Sequence, residues 1–181
     1  MDIVQGYKLS YPFGLERINI LMNESINFNT YKESLSKNWY EKNKDKGLKD
    51  ISNKLAYALK VYRRKGEKYY WTTFKGYEDS IKSKKVSGKS FLACNTKATN
   101  EYLNHTLVAY LCNRFVNPNI SHWLESVGIS FDEDLFALSE LIQFIYRSNL
   151  RVKDGIGDVK VYIPAKRMRD ILRDFIGNAN V

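Results

Sequence analysis

The sequence is poor in the residues that staple, switch or span: its 181 residues include two cysteines, two histidines and three prolines. Cys94 and Cys112 give no disulfide framework; they can pair once, but free buried thiols in a reducing cytoplasm are the plainer reading. With His105 and His122 they are the only soft metal ligands, and no two lie at the close spacing of a zinc knuckle, so no metal site is expected. Two histidines single out no Ser/His/Asp arrangement. The longest strictly apolar run, Leu107–Cys112, falls far short of the roughly 20 residues that cross a bilayer. No basic segment leads into an apolar stretch at the N-terminus, so no signal peptide is expected. A soluble, cytoplasmic protein with no membrane partner is the expectation.

A glycine-rich phosphate loop is also missing. Ser87–Ser90 (SGKS) ends like a Walker A loop, but Ser83 stands where the first glycine belongs, and the residues that follow read as strand. A phosphate loop needs a strand, a glycine turn and then a helix N-terminus whose N–H groups face the anion. The chain by itself is therefore not expected to be a complete NTPase.

Hydrophobic residues make up 44% and charged residues 27%, enough apolar material for one domain, or for a domain with a small appendage. Lys and Arg number 29 against 20 Asp and Glu, a net charge of +9. That excess is local. Lys32–Lys89 holds 17 basic and 7 acidic residues, and the remainder holds 12 and 13. An anionic partner is expected at that stretch.

Apolar spacing predicts helices through Leu15, Ile18, Leu21 and Met22, near Tyr31–Tyr40, and over Ile51–Arg64, with 41–50 as an exposed loop. Tyr69–Phe74 (YYWTTF) is aromatic and β-branched and predicts a strand, followed by a short helix. Phe91–Asn95 (FLACN) predicts a second strand. Helices are predicted over Thr99–Phe115, over Pro118–Val127, and from a capping box at Ser130–Glu133 onward. Val159–Ile163 is the third predicted strand, and Pro164 opens a last helix with Gly177 as its C-cap. The fold class expected is α/β and helix-rich: a small sheet with surrounding helices and a mostly helical N-terminal part. The expected division is a helical, basic region over 1–66 and an α/β domain over 67–181.

Three constellations carry chemistry. Arg63, Arg64, Lys65, Lys68, Tyr70, Trp71 and Lys75 interleave cations with aromatics, the combination that stacks on bases and meets phosphates in single-stranded nucleic acid. The same residues also fit a core strand beside a solvated lysine face. Glu140, Gln143, Arg147 and Arg151 fall on an arc about 80° wide if one helix continues at roughly 100° per residue. Paired arginines beside a glutamine suit a phosphate, while a polar helix stripe also suits solvent and local ion pairs. Asp158-Val-Lys160 at the start of a strand is half of a metal-dependent nuclease pattern, with Asp132 or Asp134 as the other half. The helix dipole explains those two carboxylates equally well.

Trp71–Tyr77 (WTTFKGY), Phe91–Tyr102 (FLACNTKATNEY), Ala137–Arg151 (ALSELIQFIYRSNLR) and Val161–Leu172 (VYIPAKRMRDIL) together resemble the C-terminal region of phage and mobile-element DEAD/DEAH-type helicases of superfamily 2. The likeness runs in order and spacing from Trp71 to the end. It implies a second RecA-like lobe, which closes on ATP held by a first lobe. By that resemblance Gln143, Arg147 and Arg151 sense the nucleotide, with Arg147 as the arginine finger. Thr99 and Asn100 couple it to the nucleic-acid strand. Two positions depart from the family: the second arginine comes one residue late, and Lys97 stands where arginine is expected and cannot offer a bidentate fork. No Walker-bearing lobe precedes the motifs.

The resemblance thus implies a nucleic-acid-associated accessory or regulatory protein with no cofactor of its own, ATP and Mg²⁺ entering only with a partner lobe. The partners expected are DNA or RNA, with a separate ATPase or helicase subunit or a host nucleoprotein complex. The alternatives are a stand-alone inhibitor of such a complex and a small Mg²⁺-dependent nuclease.

Overall fold

The computed structural model describes residues 13–28, 32–44, 46–94, 96, 100–153, 155 and 157–179. Four strands, β1 (Ile18–Ile20), β2 (Lys68–Thr72), β3 (His105–Tyr110) and β4 (Val159–Tyr162), form one parallel sheet in the order β1-β4-β3-β2. Six α-helices among the described residues surround it: α1 (Lys37–Lys42), α2 (Lys46–Tyr62), α3 (Glu78–Ile81), α4 (Pro118–Ser126), α5 (Glu133–Ile145) and α6 (Lys166–Ala179). The α/β class expected from the sequence is the class observed.

The connections explain the layering. The chain crosses from β1 at one edge to β2 at the other, then steps back through β3 to β4. Right-handed crossovers running in opposite directions place their helices on opposite faces. Accordingly, Tyr70 and Tyr110 meet α5 on one face, their rings 5.1 and 5.4 Å from that of Phe144. On the other face Lys160 Nζ donates to Tyr62 O at the end of α2. α6 packs beside α5. Strands covered on both faces carry near-continuous apolar runs, and Leu107 through Cys112 are all buried.

Those runs account for the largest departure from expectation. Thr99–Phe115 was predicted helical, yet His105–Tyr110 is a strand central in the sheet, because an apolar run buried on both faces has no period to distinguish strand from helix. Phe91–Asn95 was predicted to be a strand. Phe91 forms only an isolated bridge to Trp71, and Leu92 N donates to Trp71 O, beyond the edge of β2. The first predicted helix is a single 3₁₀ turn, Leu15–Arg17, leading into β1. The 41–50 segment is not all loop, since α2 begins at Lys46. Gly47 lies inside that helix because a Cβ there would sit 2.6 Å from Asn43 Cβ and 2.9 Å from the Trp39 ring. Asp132, not Ser130, caps α5, its carboxylate accepting from Leu135 N at 2.9 Å. α6 runs through Gly177 to Ala179.

Nor does the fold divide at residue 66. β1 pairs with β4, Tyr162 Oη donates to Ile26 O, and Tyr40, Ile51 and Leu55 belong to the same buried cluster as the strands. The first region is built into the sheet domain.

Pro118 at N1 and the Asn117 side chain at the N-cap start α4 where expected. None of its residues is buried, and Trp123 is 61% exposed. Truncation there removes little packing, so Trp123→Ala should change the unfolding free energy by no more than about 0.5 kcal/mol in urea titration. A loss above about 2 kcal/mol would show that α4 is anchored through this ring.

Candidate functional site at the carboxyl ends of the strands

A parallel sheet gathers the ends of all its strands on one side, and ligands of open α/β sheets bind outside those carboxyl ends. Here that edge carries a dense polar cluster. Thr72 closes β2, and Cys112, Asn113 and Arg114 follow β3. Cys94 reaches the same place on the segment after the Phe91 bridge. Its Sγ lies 3.0 Å from Thr72 Oγ1 and 3.8 Å from Cys112 Sγ. The Cys112 thiol, above all, holds the Cys94 thiol down at about 7; burial opposes this, and Thr72 and Arg114 assist. Burial pushes the Cys112 thiol well up. Arg114 Nη2 donates to Glu140 Oε2 at 3.0 Å, while its buried Nε and the buried Tyr110 hydroxyl have no partner among the described residues.

A second guanidinium ties the edge together. Arg167, buried in the first turn of α6, donates to Asp134 Oδ1 and Asn113 Oδ1 and to Arg114 O at 2.7 Å, with its Cζ 4.3 Å from the Phe115 ring centre. Asn113 Nδ2 in turn donates to Lys32 O and Ser34 O, and Tyr40 Oη to Leu111 O at 2.6 Å. These bonds draw the segment before α1 over the end of β3. Leu35, fully buried there, is held at φ 65°. A left-handed backbone costs a non-glycine residue roughly 1–2 kcal/mol, so the surrounding contacts impose it.

The residues singled out in the sequence are distributed differently from expectation. The helix does not continue to Arg151: α5 ends at Ile145, Arg147 lies in the following turn, and Arg151 lies in a 3₁₀ turn over Asn149–Arg151. Gln143 is exposed. Arg147 turns inward, its guanidinium donating to Cys94 O at 3.1 Å and Thr96 O at 2.7 Å. It clamps the Cys94 segment and does not project as a finger. Arg151 Nη1 donates to Asn100 Oδ1 at 3.2 Å. Thr99 and Lys97 lie outside the described residues.

The basic stretch separates into two places. Arg63, Arg64, Lys65 and Lys68 are all exposed around the turn that enters β2, with Gly66 at φ 82°. Arg63 lies 4.9 Å over the Tyr69 ring. Lys75 lies beyond the opposite end of β2, where it lines a cleft together with Lys44, Gly76, Tyr77 and Ser80. Tyr70 and Trp71 were expected to stack on bases; both are fully buried, so neither ring can receive one.

The nuclease pattern does not assemble. Lys160 is paired with Glu67 Oε2 at 2.8 Å, Asp132 caps α5, and Asp134 binds Arg167 at the other end of the sheet. No group of three or more His, Cys, Asp or Glu suited to a metal occurs among the described residues. Among them, too, no helix is long and apolar enough to cross a membrane. Glu67, Thr72, Arg114 and Arg167 were not singled out from the sequence. Reading His105–Tyr110 as a strand parallel to β2 would have placed Cys112 and Arg114 at the same edge as Thr72.

Comparison with known proteins gives the fold a lineage. The chain is similar to the SPbeta prophage-derived uncharacterized protein YonV of Bacillus subtilis (strain 168), 43% identical over 145 residues. That match covers 80% of this chain and 34% of the relative, so the chain spans about a third of the relative's length. No solved structure matches it. The relative's origin agrees with the phage or mobile-element source expected from the sequence, and neither comparison names a helicase. The model of the YonV C-terminal Rossmann-like domain matches residues 15–176, and the chain belongs to that family.

Proposed function

We propose that this Rossmann-like domain is a nucleic-acid-associated accessory or regulatory protein of its mobile element, binding through the cationic turn between α2 and β2. The observation that carries the reading is the exposure of Arg63, Arg64, Lys65 and Lys68 on one short turn, within a stretch of 17 basic and 7 acidic residues. Clustered exposed cations exchange condensed counterions for phosphates and need no base readout. The buried Tyr70 and Trp71 support backbone contact over base stacking. Descent from a helicase second lobe belongs to the same proposal, with ATP and Mg²⁺ entering only through a partner lobe. The adjacency of Arg151 and Asn100 supports it, and the inward-facing Arg147 weighs against a surviving finger.

The test is fluorescence anisotropy on single-stranded DNA and RNA oligonucleotides across a salt series. Binding is expected to weaken steeply with salt and to ignore added nucleotide. The triple substitution Arg63→Ala, Arg64→Ala, Lys68→Ala should flatten the log–log salt slope by about 2, at about 0.7 per lost phosphate contact on single strands. An unchanged slope in a folded triple variant would remove the turn from the interface.

A further inference from the structure

Cys94 and Cys112 are 18 residues apart in sequence, yet the fold sets their sulfurs 3.8 Å apart. They sit on unlike supports. Cys112 is buried just past the central strand β3, where Leu111 N is bonded to Thr72 O. Cys94 is half-buried on an irregular segment held by the Arg147 clamp and by Leu92 N on Trp71 O. A disulfide needs the sulfurs at roughly 2.0 Å. Cys94 lies in no strand, so closing that gap from its side breaks no ladder hydrogen bond.

We propose that Cys94 and Cys112 are a peroxide-reactive dithiol that closes to an intrachain disulfide at the carboxyl edge of the sheet. Cys94 is the attacking sulfur, being the more open of the two. Its thiolate takes one oxygen from hydrogen peroxide: the O–O bond breaks, sulfur is oxidised to a sulfenic acid, and the second oxygen leaves as water after gaining a proton. The Cys112 sulfur then attacks the Cys94 sulfur. The S–S bond forms, and the sulfenic hydroxyl leaves as water with the Cys112 proton. Two thiols and one peroxide give one disulfide and two waters, and a thiol reductant reverses the step.

The charge around the pair favours this order of events. Cys94 faces the Cys112 thiol and Thr72, the Arg114 cation and Glu140, and the buried hydroxyls of Tyr40 and Tyr110. With the thiol held at about 7, its thiolate at neutral pH exceeds that of an ordinary cysteine by on the order of tenfold.

The experiment treats the unmodified chain with hydrogen peroxide at pH 7 in the absence of thiols, alkylates what remains free, and maps peptides without reduction. A Cys94–Cys112 cross-link within monomeric chains, lost on adding dithiothreitol, is the expected product. In Cys112→Ser the reaction should stop at a Cys94 sulfenic acid that dimedone traps. In Cys94→Ser, Cys112 should stay reduced. The proposal is overturned if both thiols stay free, if Cys94 goes to sulfinic acid without a cross-link, or if the disulfides join separate chains. Oxidation of Cys112 at an unchanged rate in Cys94→Ser overturns the assignment of Cys94 as the attacking sulfur.

Discussion

Glu67→Ala should lower the free energy of unfolding by about 3–5 kcal/mol, the usual consequence of removing one partner from a buried ion pair. Glu67 and Lys160 are 93 residues apart in sequence, and their side chains are only 10% and 14% exposed. Lys160 Nζ donates to both carboxylate oxygens, at 3.0 and 2.8 Å, and to Tyr62 O. Thr106 Oγ1 and Arg64 N supply two further donors to the carboxylate, each at 2.7 Å. Without Glu67 the ammonium keeps one carbonyl and little water. Domains of this size are stable by about 5–15 kcal/mol, so the loss is a large share of the total. It should appear in urea titration as a lower midpoint at unchanged slope. Replacing both partners, Glu67→Leu with Lys160→Met, should recover much of it, since no charge is then stranded. A single-variant loss below about 1 kcal/mol would mean that the pair holds nothing together.

The same pair sets an acid limit. Burial pushes the Glu67 carboxyl up, but the donations from Lys160, Arg64 N–H and Thr106 outweigh it, leaving the group below its ordinary value. The folded chain therefore binds this proton less readily than the unfolded chain. Its contribution is complete above the ordinary carboxylate range and disappears as pH falls through the lowered folded value. Wild type and Glu67→Ala should accordingly converge in stability as the medium is acidified through that window. A constant difference down to strong acid would assign the variant's loss to packing alone.

Trp71→Ala should cost about 3–5 kcal/mol, the range for deleting a buried aromatic side chain. The indole is fully buried, lies 5.0 Å from the Phe91 ring, and donates from Nε1 to Ser87 O at 2.9 Å. Trp71 also pairs with Ala109 and accepts from Leu92 N through its carbonyl. One side chain thus anchors the segment running past β2 to the sheet. Trp71→Phe should retain part of the packing while leaving Ser87 O without its donor. A base-stacking residue would behave in the opposite sense, losing oligonucleotide affinity at wild-type stability. That result, by anisotropy alongside urea titration, would return Trp71 to the surface.

Trp71 also shows what the sequence could and could not convey. An aromatic run among lysines reads alike as a stacking platform and as a buried strand, and only its place beside β3 separates the two. β2, β4, α4 and α5 were legible because each has a sharp local signature: β-branched or aromatic residues, a proline at N1, or a wide apolar stripe. β1 has three residues, too few for a pattern, and it exists because β4 is there to pair with it. β3 was misread because full burial erases periodicity. Arg147, Arg151 and Asn100 stand out in the sequence, but their inward and mutual bonding is hidden by the assumption that α5 continues. The Cys94–Cys112 and Glu67–Lys160 pairs depend on the sheet order, which local spacing does not encode.

That order has a consequence for how the chain is made. The first strand is the β4 partner, and the contact beside that pairing, Arg17 Nε to Gly157 O, joins residues 140 apart. At about 5–20 residues per second, β1 waits on the order of ten seconds on the ribosome before its neighbour emerges. Until then the sheet can grow only from β2 and β3, and the first strand has no strand to pair with. Closure is therefore a late, long-range event, of the kind that slows folding of parallel sheets and leaves nascent chains in need of shielding.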